Sequence, residues 1–284
     1  MAVIKQRHDI GESNRNAAVA LLIAVVDNGG VSSVSIAMPS AVRRVPCEQC
    51  PLRAMPKFAA FSPPELKFVS HFKRGELVAE AGTLILAEGA HSAQLFTMLS
   101  GWAFRYKTLE DGRRQILNYV LPGDLVGLQG SVMGEMQHSV EALSPAVLCV
   151  FQRDDLPDLF RQHPSLGFDI TWLASREERM LDENLLSVGR RSALERAAYL
   201  IAFIYQRAAS VGLVGGSRLM IPISQQHVAD TLGLSIVHTN KTLKQLARME
   251  LIRWGDRVCE VIDPEGLAEV AHWEETHDGT RPLI

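Results

Sequence analysis

The residues that first suggest chemistry are Cys47 and Cys50, in the stretch VPCEQCPLRAMPKF at residues 45–58. The chain has only four cysteines among its 284 residues. A C-x-x-C pair is typical of half a metal site, of a redox pair, or of two incidental thiols. The βαβ pattern that accompanies a thioredoxin-type pair does not surround this one. Metal binding and redox sensing are therefore the chemistries that the rest of the sequence has to support.

The N-terminal region bears on whether these thiols stay reduced. Its longest apolar run, AAVALLIAVV at residues 17–26, is too short to cross a bilayer. Acidic residues precede the run and no suitable cleavage site follows closely, so a secretory signal is not expected. We expect Met38 to be the natural start, with residues 1–37 an upstream read-through or a disordered arm. A cytoplasmic protein with reduced cysteines and no membrane partner follows from this interpretation.

Charge is unevenly distributed along the chain. The formal net charge is −3, yet residues 189–254 carry nine Lys and Arg against three Asp and Glu. Such a basic block predicts a module that faces an anionic partner, although an ordinary solvated surface has the same composition. The hydrophobic content of 47% is typical of globular domains, and the length suits two domains of about 100–200 residues each.

The elements that would position the cysteines begin with a β-rich half. Between His71 and Gln152 short segments alternate apolar and polar residues, which is the period of a half-buried strand. Turn dipeptides separate them at intervals of roughly 8–12 residues, a pattern typical of an antiparallel barrel or jelly roll. The dipeptides are Glu88-Gly89, Ser100-Gly101, Asp111-Gly112 and Pro122-Gly123. Of these, the Asp-Gly pair is the strongest hairpin signal.

A long helix is predicted after the strands, from Pro164 to Val188. Apolar residues recur there at three- and four-residue steps, and a proline suits the first helical turn. A single helix beside a barrel cannot bury such a stripe alone, so the pattern predicts pairing with the same helix of a second copy. Packing on its own barrel is the alternative. The stripe consists of Leu166, Ile170, Leu173, Met180, Leu181, Leu185 and Val188.

The C-terminal part has the pattern of a winged helix-turn-helix. Ser192 and Glu195 form a capping box at the start of one helix. Ser224 then suits the N-cap of a short helix, Gly233 the turn, and Ser235 the N-cap of a second short helix. The strings LIRW and RVCEVID, separated by Gly-Asp, predict a two-stranded wing.

The second helix of this motif, residues 236–249, has one face for the core and one for a ligand. Thr239, Leu243 and Leu246 are expected to be buried. The N-terminal half of the other face is where a recognition helix meets DNA. Lysines there would neutralise phosphates, an asparagine could bond adenine, and a valine could pack on a thymine methyl; a merely solvated face is the alternative. The predicted DNA-binding residues are Ser235, Val237, His238, Asn240, Lys241 and Lys244.

A barrel, a long helix and a winged helix-turn-helix, in that order, resemble the Crp/Fnr family of bacterial transcription regulators. The likeness covers about Cys47 to Ala271, through LSGWAFRY…DGRRQILNYVLPGDLVG and QQHVADTLGLSIVHTNKTLKQL. It implies an α+β fold with an antiparallel β-roll, a long dimerisation helix and a C-terminal winged helix-turn-helix. It also implies a homodimer on a palindromic DNA operator and contact with RNA polymerase. No group of residues suggests an enzyme. Where well-known members have an acidic reader and an arginine, this chain has Val237 and Lys241.

On this resemblance the chain divides into five segments. They are a disordered N-terminal extension, a cysteine arm with the sensory roll, the dimerisation helix, the DNA-binding domain and a tail. The predicted bounds, in that order, are 1–46, 47–160, 161–188, 189–271 and 272–284.

The cyclic-nucleotide branch of the family holds the cyclic phosphate with a Gly-Glu pair and an Arg-Ser/Thr-Ala triplet. In the matching stretch GLQGSVMGEMQHSVEAL, Leu128 replaces the glutamate and His138 replaces the arginine. A histidine has no bidentate fork and is largely neutral at pH 7. Cyclic AMP binding is therefore not expected.

The oxygen-sensing branch holds an iron–sulfur cluster with cysteines of an N-terminal arm and one cysteine of the barrel. Cys47 and Cys50 match the first two arm ligands, and Cys149 matches the barrel ligand. The third arm cysteine would fall near Pro56, so the fourth ligand is unknown, whereas clusters normally take four thiolates. The resemblance thus implies an iron–sulfur cluster or another metal at these three cysteines, and a redox or oxygen-related signal.

Other signals are compatible with the sequence. The three thiols could form an oxidation switch without a metal, or Cys149 could be a small buried hydrophobe. Cys259, in the predicted wing, is interpreted as structural. A small molecule bound in the roll near Trp102, Tyr106 and Arg113 is the remaining alternative.

Overall fold

The computed structural model of the protein describes residues 21–27, 30–37, 45–213, 219–255, 258–274 and 279–284. Within these ranges it has the predicted α+β architecture: a roll of two sheets, a long helix and a winged helix-turn-helix. The helices of the described part include none with the length and apolar character needed to span a membrane.

The first described element is a hairpin, whereas the sequence predicted a disordered extension. Strand β1 (Leu21–Asp27) pairs antiparallel with strand β2 (Gly30–Ala37). Both segments are rich in apolar and β-branched residues, and the sequence between them is Asn-Gly, which suits a two-residue hairpin turn. This local pattern explains the difference. The expectations for residues 1–20 and for a start at Met38 lie outside the described residues.

The roll consists of eight strands in two sheets that face each other. The sheet orders are β3-β10-β5-β8 and β4-β9-β6-β7, with antiparallel pairing in both. Side chains such as Phe96, Val140 and Leu148 fill the space between them. The strands are β3 (Lys73–Ala79), β4 (Leu84–Leu86), β5 (Gln94–Ser100), β6 (Ala103–Thr108), β7 (Arg114–Val120), β8 (Leu125–Val126), β9 (Ser139–Ala142) and β10 (Ala146–Gln152).

Short helical segments surround the roll. The cysteine arm forms two 3-10 turns, Cys47–Gln49 and Pro51–Ala54, before helix α1 (Pro63–Phe72). Helix α2 (Leu128–Met133) lies between β8 and β9, and helix α3 (Leu156–Gln162) follows β10. The predicted Asp-Gly hairpin joins β6 to β7, with its glycine in the left-handed conformation at φ 84° that glycine adopts readily.

The long helix α4 spans Pro164–Arg190, close to the prediction. Its apolar stripe divides into two parts. The first part is buried within this chain, so packing on the chain's own roll accounts for it; its members are Leu166, Ile170, Leu173 and Met180. The second part is exposed, with Leu181 at 38%, Leu185 at 73% and Leu186 at 48%. Apart from Phe168, which is 69% exposed in the first part, it is this second part of the helix that offers an apolar face to another copy.

The C-terminal module has the predicted order of helices and wing. Ser192 and Glu195 form the capping box of its first helix. A short strand, β11, joins the wing as a third strand, which the sequence pattern did not predict. The elements are α5 (Ala193–Ser210), β11 (Met220–Ile221), α6 (Gln225–Leu232), α7 (Ile236–Arg248), β12 (Ile252–Gly255), β13 (Val258–Val261) and α8 (Pro264–Ala271).

A buried carboxylate connects the roll to the rest of the chain. Asp124, which is 5% exposed, lies in the turn between β7 and β8. Its oxygens accept hydrogen bonds from Arg207 of α5, from Arg176 of α4 (3.3 Å) and from Arg281 (3.0 Å). Burial opposes ionisation of Asp124, but the guanidinium groups of Arg207, Arg281 and Arg176 hold the pKa of this carboxyl well below its usual range.

Strand β7 holds the first helix of the helix-turn-helix against the roll. Arg114 pairs with Asp230 of α6 at 2.9 Å. The Gln115 amide donates to the Thr231 carbonyl at 2.8 Å. The hydroxyl of Tyr119 lies 3.0 Å from that of Thr231. These contacts place the helix-turn-helix directly against strand β7 of the roll.

The last described residues, 279–284, pack back onto the roll instead of extending from it. Arg281, Leu283 and Ile284 are 2%, 5% and 3% exposed. The sequence of this segment, GTRPLI, has too few apolar residues to show a period, so the sequence did not predict its burial.

We expect Asp124→Asn to destabilise the protein by about 3–5 kcal/mol, because it leaves three arginines around a neutral buried amide. Urea unfolding followed by tryptophan fluorescence measures this change. Asp111→Asn is the control: it removes an exposed carboxylate from the β6–β7 turn and should leave the unfolding midpoint nearly unchanged. A wild-type midpoint for Asp124→Asn would show that the three ion pairs add nothing to stability.

Candidate functional site

The helix-turn-helix is defined by its caps. Ser224 Oγ accepts a hydrogen bond from the His227 amide, and His227 Nδ1 accepts one from the Ser224 amide, both at 3.1 Å. Gly233 ends α6 in the left-handed conformation, at φ 64°. Ser235 then caps α7 by accepting a bond from the His238 amide at 3.3 Å. The caps therefore determine where the second helix begins and which residues form its first exposed turn.

The N-terminal half of α7 faces solvent. Val237 is 76% exposed, and Lys241 and Lys244 follow it on the same side of the helix at four- and three-residue steps. Ser235 and His238 are exposed as well. The opposite side is buried as predicted, at Thr239, Leu243 and Leu246.

Asn240 differs from the prediction of an exposed reader. It is half-buried, and its Oδ1 is buried without a hydrogen-bond partner among the described residues. The residue lies at the border of the two helix faces, next to buried Thr239. Ile236, which is 39% exposed, is a surface residue of the first turn that the sequence reasoning did not single out.

The wing follows α7 as an antiparallel pair, with Trp254 of β12 opposite Cys259 of β13. Arg253 and Glu260 form a 2.8 Å ion pair across the two strands. Cys259 is fully buried, and burial raises the pKa of its thiol to about 12. This agrees with a structural role for Cys259, since a neutral buried thiol is unreactive.

The cysteine arm is held against the roll by Lys73 of β3, which is 3% exposed. Its ammonium donates to the Glu76 carboxylate at 2.6 Å and to the Val45 carbonyl at 2.9 Å. The Glu76 carboxylate also accepts a bond from the Val45 amide at 2.9 Å. Burial opposes the charge on Lys73, but Glu76, Cys149 and Cys47 raise its pKa. The arm is thus fixed two residues before its first cysteine.

Cys149 belongs to a row of polar residues across one face of the sheet. It stands opposite Glu76 of β3 and opposite Thr97 of β5, and directly opposite residues share a face. Burial raises the pKa of the Cys149 thiol to about 11; the Lys73 ammonium opposes this rise and Cys50 adds to it. The arm cysteines pack against the same core. Lys73 therefore lies beside Cys149 and near Cys47, while Cys50 interacts with Cys149.

This arrangement does not fit an iron–sulfur cluster or another metal. In the described ranges, no three or more His, Cys, Asp or Glu side chains are placed so that they could share a metal ion. Burial also raises the pKa of the Cys149 thiol to about 11, whereas a metal is bound by the thiolate. All four cysteines are described, and none forms a disulfide.

Lys73 and Glu76 are the functional residues that motif reasoning missed. The signal available in the sequence was a lysine and a glutamate three positions apart in a segment that otherwise reads as a strand, KRGELVA. Charged residues are rarely buried unless they are paired, so the two could have been predicted as surface residues equally well.

A cavity of about 600 Å³ lies between the roll and α4. Leu128 and His138, the two positions that differ from the cyclic-nucleotide branch, both line it. The side chains of Trp102, Tyr106 and Arg113 are not among those that line this cavity in the described structure. The predicted small-molecule site near those three residues therefore does not coincide with this cavity.

His138 gives the cavity an uncharged polar wall. It is 6% exposed, and its Nε2 has no hydrogen-bond partner among the described residues. Burial, with Arg105 and Lys107 nearby, lowers the pKa of His138 to about 4. Arg105 also lines the cavity, but Glu177 binds it at 3.0 Å and the Leu125 carbonyl at 2.8 Å. The cavity therefore lacks an available arginine fork at the position where the cyclic-nucleotide branch holds its phosphate.

Comparison with known proteins matches both halves of this geometry. A family model of the cyclic nucleotide-binding domain matches residues 76–163, and one of the Crp-like helix-turn-helix domain matches residues 195–270. This chain belongs to the Crp/Fnr family of transcriptional regulators. Crp/Fnr proteins are DNA-binding regulators and not enzymes, so the non-enzymatic interpretation of the sequence is confirmed at the level of the family.

Two curated Crp/Fnr relatives are similar over most of their length. The nitrogen fixation regulation protein FixK of Bradyrhizobium diazoefficiens is 29% identical over 79% of this chain and 93% of its own. The transcriptional activator protein FnrL of Cereibacter sphaeroides is 28% identical over 87% of this chain and 98% of its own. These relatives place the chain nearer to the Fnr-like branch than to the cyclic-AMP branch, as the sequence indicated.

Solved Crp/Fnr structures share the fold. FixK2 from Bradyrhizobium japonicum superposes with a TM-score of 0.60 at 23% identity, covering 69% of this chain and 96% of that one. A CRP/FNR family regulator from Thermus thermophilus superposes with a TM-score of 0.58 at 20% identity, covering 69% and 98%. At these identities the comparison supports the fold alone.

The depressed pKa of His138 predicts a pH dependence of stability. An unfolded histidine has a pKa near 6.5, so between about pH 6.5 and pH 4 the unfolded chain binds the proton that folded His138 excludes. Stability should therefore fall with decreasing pH in that window, by about 2–3 kcal/mol from this residue. His138→Gln should remove this part of the slope.

Urea unfolding at pH 7.0, 6.0, 5.0 and 4.5 measures the effect. His71→Gln, which replaces an exposed histidine of α1, is the matched control and should keep the wild-type slope. Parallel pH curves for wild type and His138→Gln would contradict the assignment.

Proposed function

We propose that the protein is a cytoplasmic, homodimeric regulator of transcription in which residues 47–160 sense a signal, 161–188 dimerise and 189–271 bind a palindromic operator. The observation that carries this proposal is the capped helix-turn-helix, whose second helix turns its N-terminal half to solvent. A helix of this kind enters the major groove with its first turns against the base edges. Contact with RNA polymerase is part of the proposal, by analogy with the family.

Each exposed residue of α7 has a role in this docking. Lys241 and Lys244 neutralise phosphates, and Val237 packs on a thymine methyl. Ser235 and His238, in the first turn, donate to phosphate or base oxygens. Asn240 requires a side-chain rotation to reach adenine, and its unpartnered Oδ1 is the acceptor that such a contact would satisfy.

The exposed half of α4 supplies the surface for the second copy. Leu181, Leu185 and Leu186 form an apolar patch that remains exposed among the residues the structure describes. Two copies of α4 side by side would bury it, in the manner of a short coiled coil. A two-fold axis along this helix pair sets two recognition helices about 34 Å apart, one turn of DNA.

The signal that the three cysteines support best is the redox state of the arm thiols, Cys47 and Cys50. Cys47 and Cys50 are half-buried and pack on the core that includes Cys149, and the Lys73 ammonium opposes the rise that burial causes in the pKa of the Cys149 thiol. With hydrogen peroxide as oxidant, two thiols lose two protons and two electrons to form one disulfide, while the peroxide is reduced to two molecules of water. The new bond would change the shape of the arm, which lies on the sensory sheet.

A small molecule in the cavity is the second candidate signal. The unpartnered Nε2 of His138 favours it, because a buried polar atom without a partner costs free energy that a ligand would recover. A largely apolar, uncharged ligand with one hydrogen-bonding group suits such a wall. Because α4 lines the cavity, occupancy would act on the dimerisation helix.

The DNA-binding proposal predicts the effect of Lys241→Ala. The variant should bind more weakly to a duplex selected from a random pool by the wild-type protein. Its plot of log affinity against log salt should be shallower by about one unit for each phosphate that the complex no longer neutralises. Fluorescence anisotropy at four salt concentrations measures both quantities, and light scattering of the complex should give two chains per duplex.

Lys67→Ala is the matched control for that experiment, since it removes a lysine from the exposed surface of α1, far in sequence from the recognition helix α7. It should keep the wild-type affinity and salt slope. Equal slopes for wild type and Lys241→Ala would place the phosphate contacts elsewhere.

The thiol proposal predicts that hydrogen peroxide removes two titratable thiols per chain and changes DNA affinity, and that dithiothreitol reverses both effects. Cys47→Ser/Cys50→Ser should not respond, whereas Cys259→Ser, the control, should respond like wild type. Thiol titration and anisotropy measure the two effects. The metal-free interpretation would be contradicted if protein purified without oxygen were brown and contained iron and sulfide.

A further inference from the structure

Residues 279–284 follow the DNA-binding module in sequence but are buried against the sensory half of the protein. They lie outside both matched domains, which end at residues 163 and 270. Neither DNA recognition nor a ligand in the cavity uses them. Their contacts are with the cysteine arm, with the three-arginine junction at Asp124, and with the strand beside Cys149.

The first contact is with the arm. The Arg281 amide donates to the Lys57 carbonyl, and the Ala59 amide donates to the Arg281 carbonyl, both at 2.8 Å. Together they make a parallel bridge between Arg281 and Phe58. The Arg281 guanidinium also lies over the Phe58 ring, 4.6 Å from its centre. The segment thus pairs with the same arm that carries the two cysteines.

The second contact is with the junction. Besides its 3.0 Å bond to Asp124, the Arg281 guanidinium donates to the Pro122 carbonyl at 2.6 Å. The turn between them requires Gly123: a Cβ there would lie 2.4 Å from the Phe58 ring and 2.5 Å from Arg281 Nη2. Arm, turn and segment therefore fit together with no room for a side chain between them.

The third contact is beside the barrel cysteine. Thr97 Oγ1 donates to the Ile284 carbonyl. Thr97 stands opposite Cys149 in the neighbouring strand, so the segment reaches the polar row on which the arm lies. The side chain of Ile284 joins the hydrophobic core that includes Cys149, with the arm cysteines packed against it.

We propose that residues 279–284 are a strap that ties the winged helix-turn-helix to the cysteine arm, so that arm and DNA-binding module hold or release each other. The strap does not block the reading face, because Val237 remains 76% exposed. Instead, the strap restricts where the winged helix-turn-helix, which includes α5 and α8, can lie relative to the roll. Releasing it frees the module, and DNA binding then has to order it again, which weakens the affinity. The consequence for DNA rests on the proposed function; the tie to the arm does not.

Two variants and one control test the strap. A chain that ends at residue 278 removes it, and Arg281→Gln removes only its charge. Arg161→Gln is the control, since it replaces an exposed arginine that pairs with Asp158 in α3. Hydrogen–deuterium exchange of the full dimer is measured over the arm (45–61), over α6 (225–232) and over β10 (146–152), and affinity is measured with the selected duplex.

For both strap variants we expect exchange over the arm and α6 to rise at least about tenfold, with β10 still protected, and DNA affinity to fall about tenfold. The control should match wild type in each measurement. Lost protection in β10 would mean that the shortened chain has also destabilised the roll. The test would then use Arg281→Gln, because this variant keeps the backbone bridge to Phe58.

Three other results would be decisive. Unchanged exchange over the arm would overturn the strap. Faster exchange with wild-type affinity would overturn its coupling to DNA. If exchange over the arm were faster in the strap variants but even the wild-type protein selected no duplex, the proposed function would be rejected. The tie between arm and module would still hold.

Discussion

The arrangement of this protein depends on a carboxylate that is removed from water. Burying Asp124 alone would be costly, because an isolated ion loses its hydration in the protein interior. Three guanidinium groups offset that cost, and each comes from a different part of the chain: the long helix, the first helix of the DNA-binding module and residues 279–284. The same ion pairs that neutralise Asp124 therefore decide how three segments lie on the roll.

Three arginines around one carboxylate leave an excess of positive charge. Backbone carbonyl and side-chain amide oxygens offset it by accepting hydrogen bonds from the guanidinium groups. Arg207 also donates to the Tyr119 carbonyl at 2.7 Å and to the Asn118 amide oxygen at 3.3 Å. Burial lowers the pKa of Arg176 to about 10, with Asp124 opposing the decrease. Arginine suits this site better than lysine, because one guanidinium can donate to several acceptors in a fixed plane. Strand β7 and the turn after it provide those acceptors, which is why the module docks there.

Local features of the fold could be predicted from the sequence. Helix caps such as Ser192 and Ser235, the glycine turn at residue 233 and the Asp-Gly hairpin act through residues three or four positions apart, so one sequence is enough to find them. The buried face of α7 follows from its period in the same way. The hairpin at residues 21–37 also had a local signal, but the expectation that the natural chain starts at Met38 led to a disordered extension as the interpretation.

What could not be predicted depends on partners far apart in sequence. Nothing near Lys73 in the sequence indicates that its ammonium would lie beside Cys149 and near Cys47, since the arm has to fold back onto the roll before they meet. The three partners of Asp124 are separated from it by 52, 83 and 157 positions. Asn240 has the right residue type for a reader, but its exposure is decided by packing at the border of α7. The cluster expected at the cysteines rested on their match to the pattern of the family, which carries no information about the lysine that lies beside Cys149.

The bridge between Phe58 and Arg281 also bears on how the chain folds. It closes a loop that contains the roll, the long helix and the DNA-binding module, and the entropy of closing a loop grows with its length. Such a contact forms late, after the domains that bring its two ends together have acquired their structure. An intermediate with both domains folded and an unanchored arm should therefore precede the native state. In that intermediate Cys47 and Cys50 would be exposed to solvent, because the arm would not yet be packed on the roll.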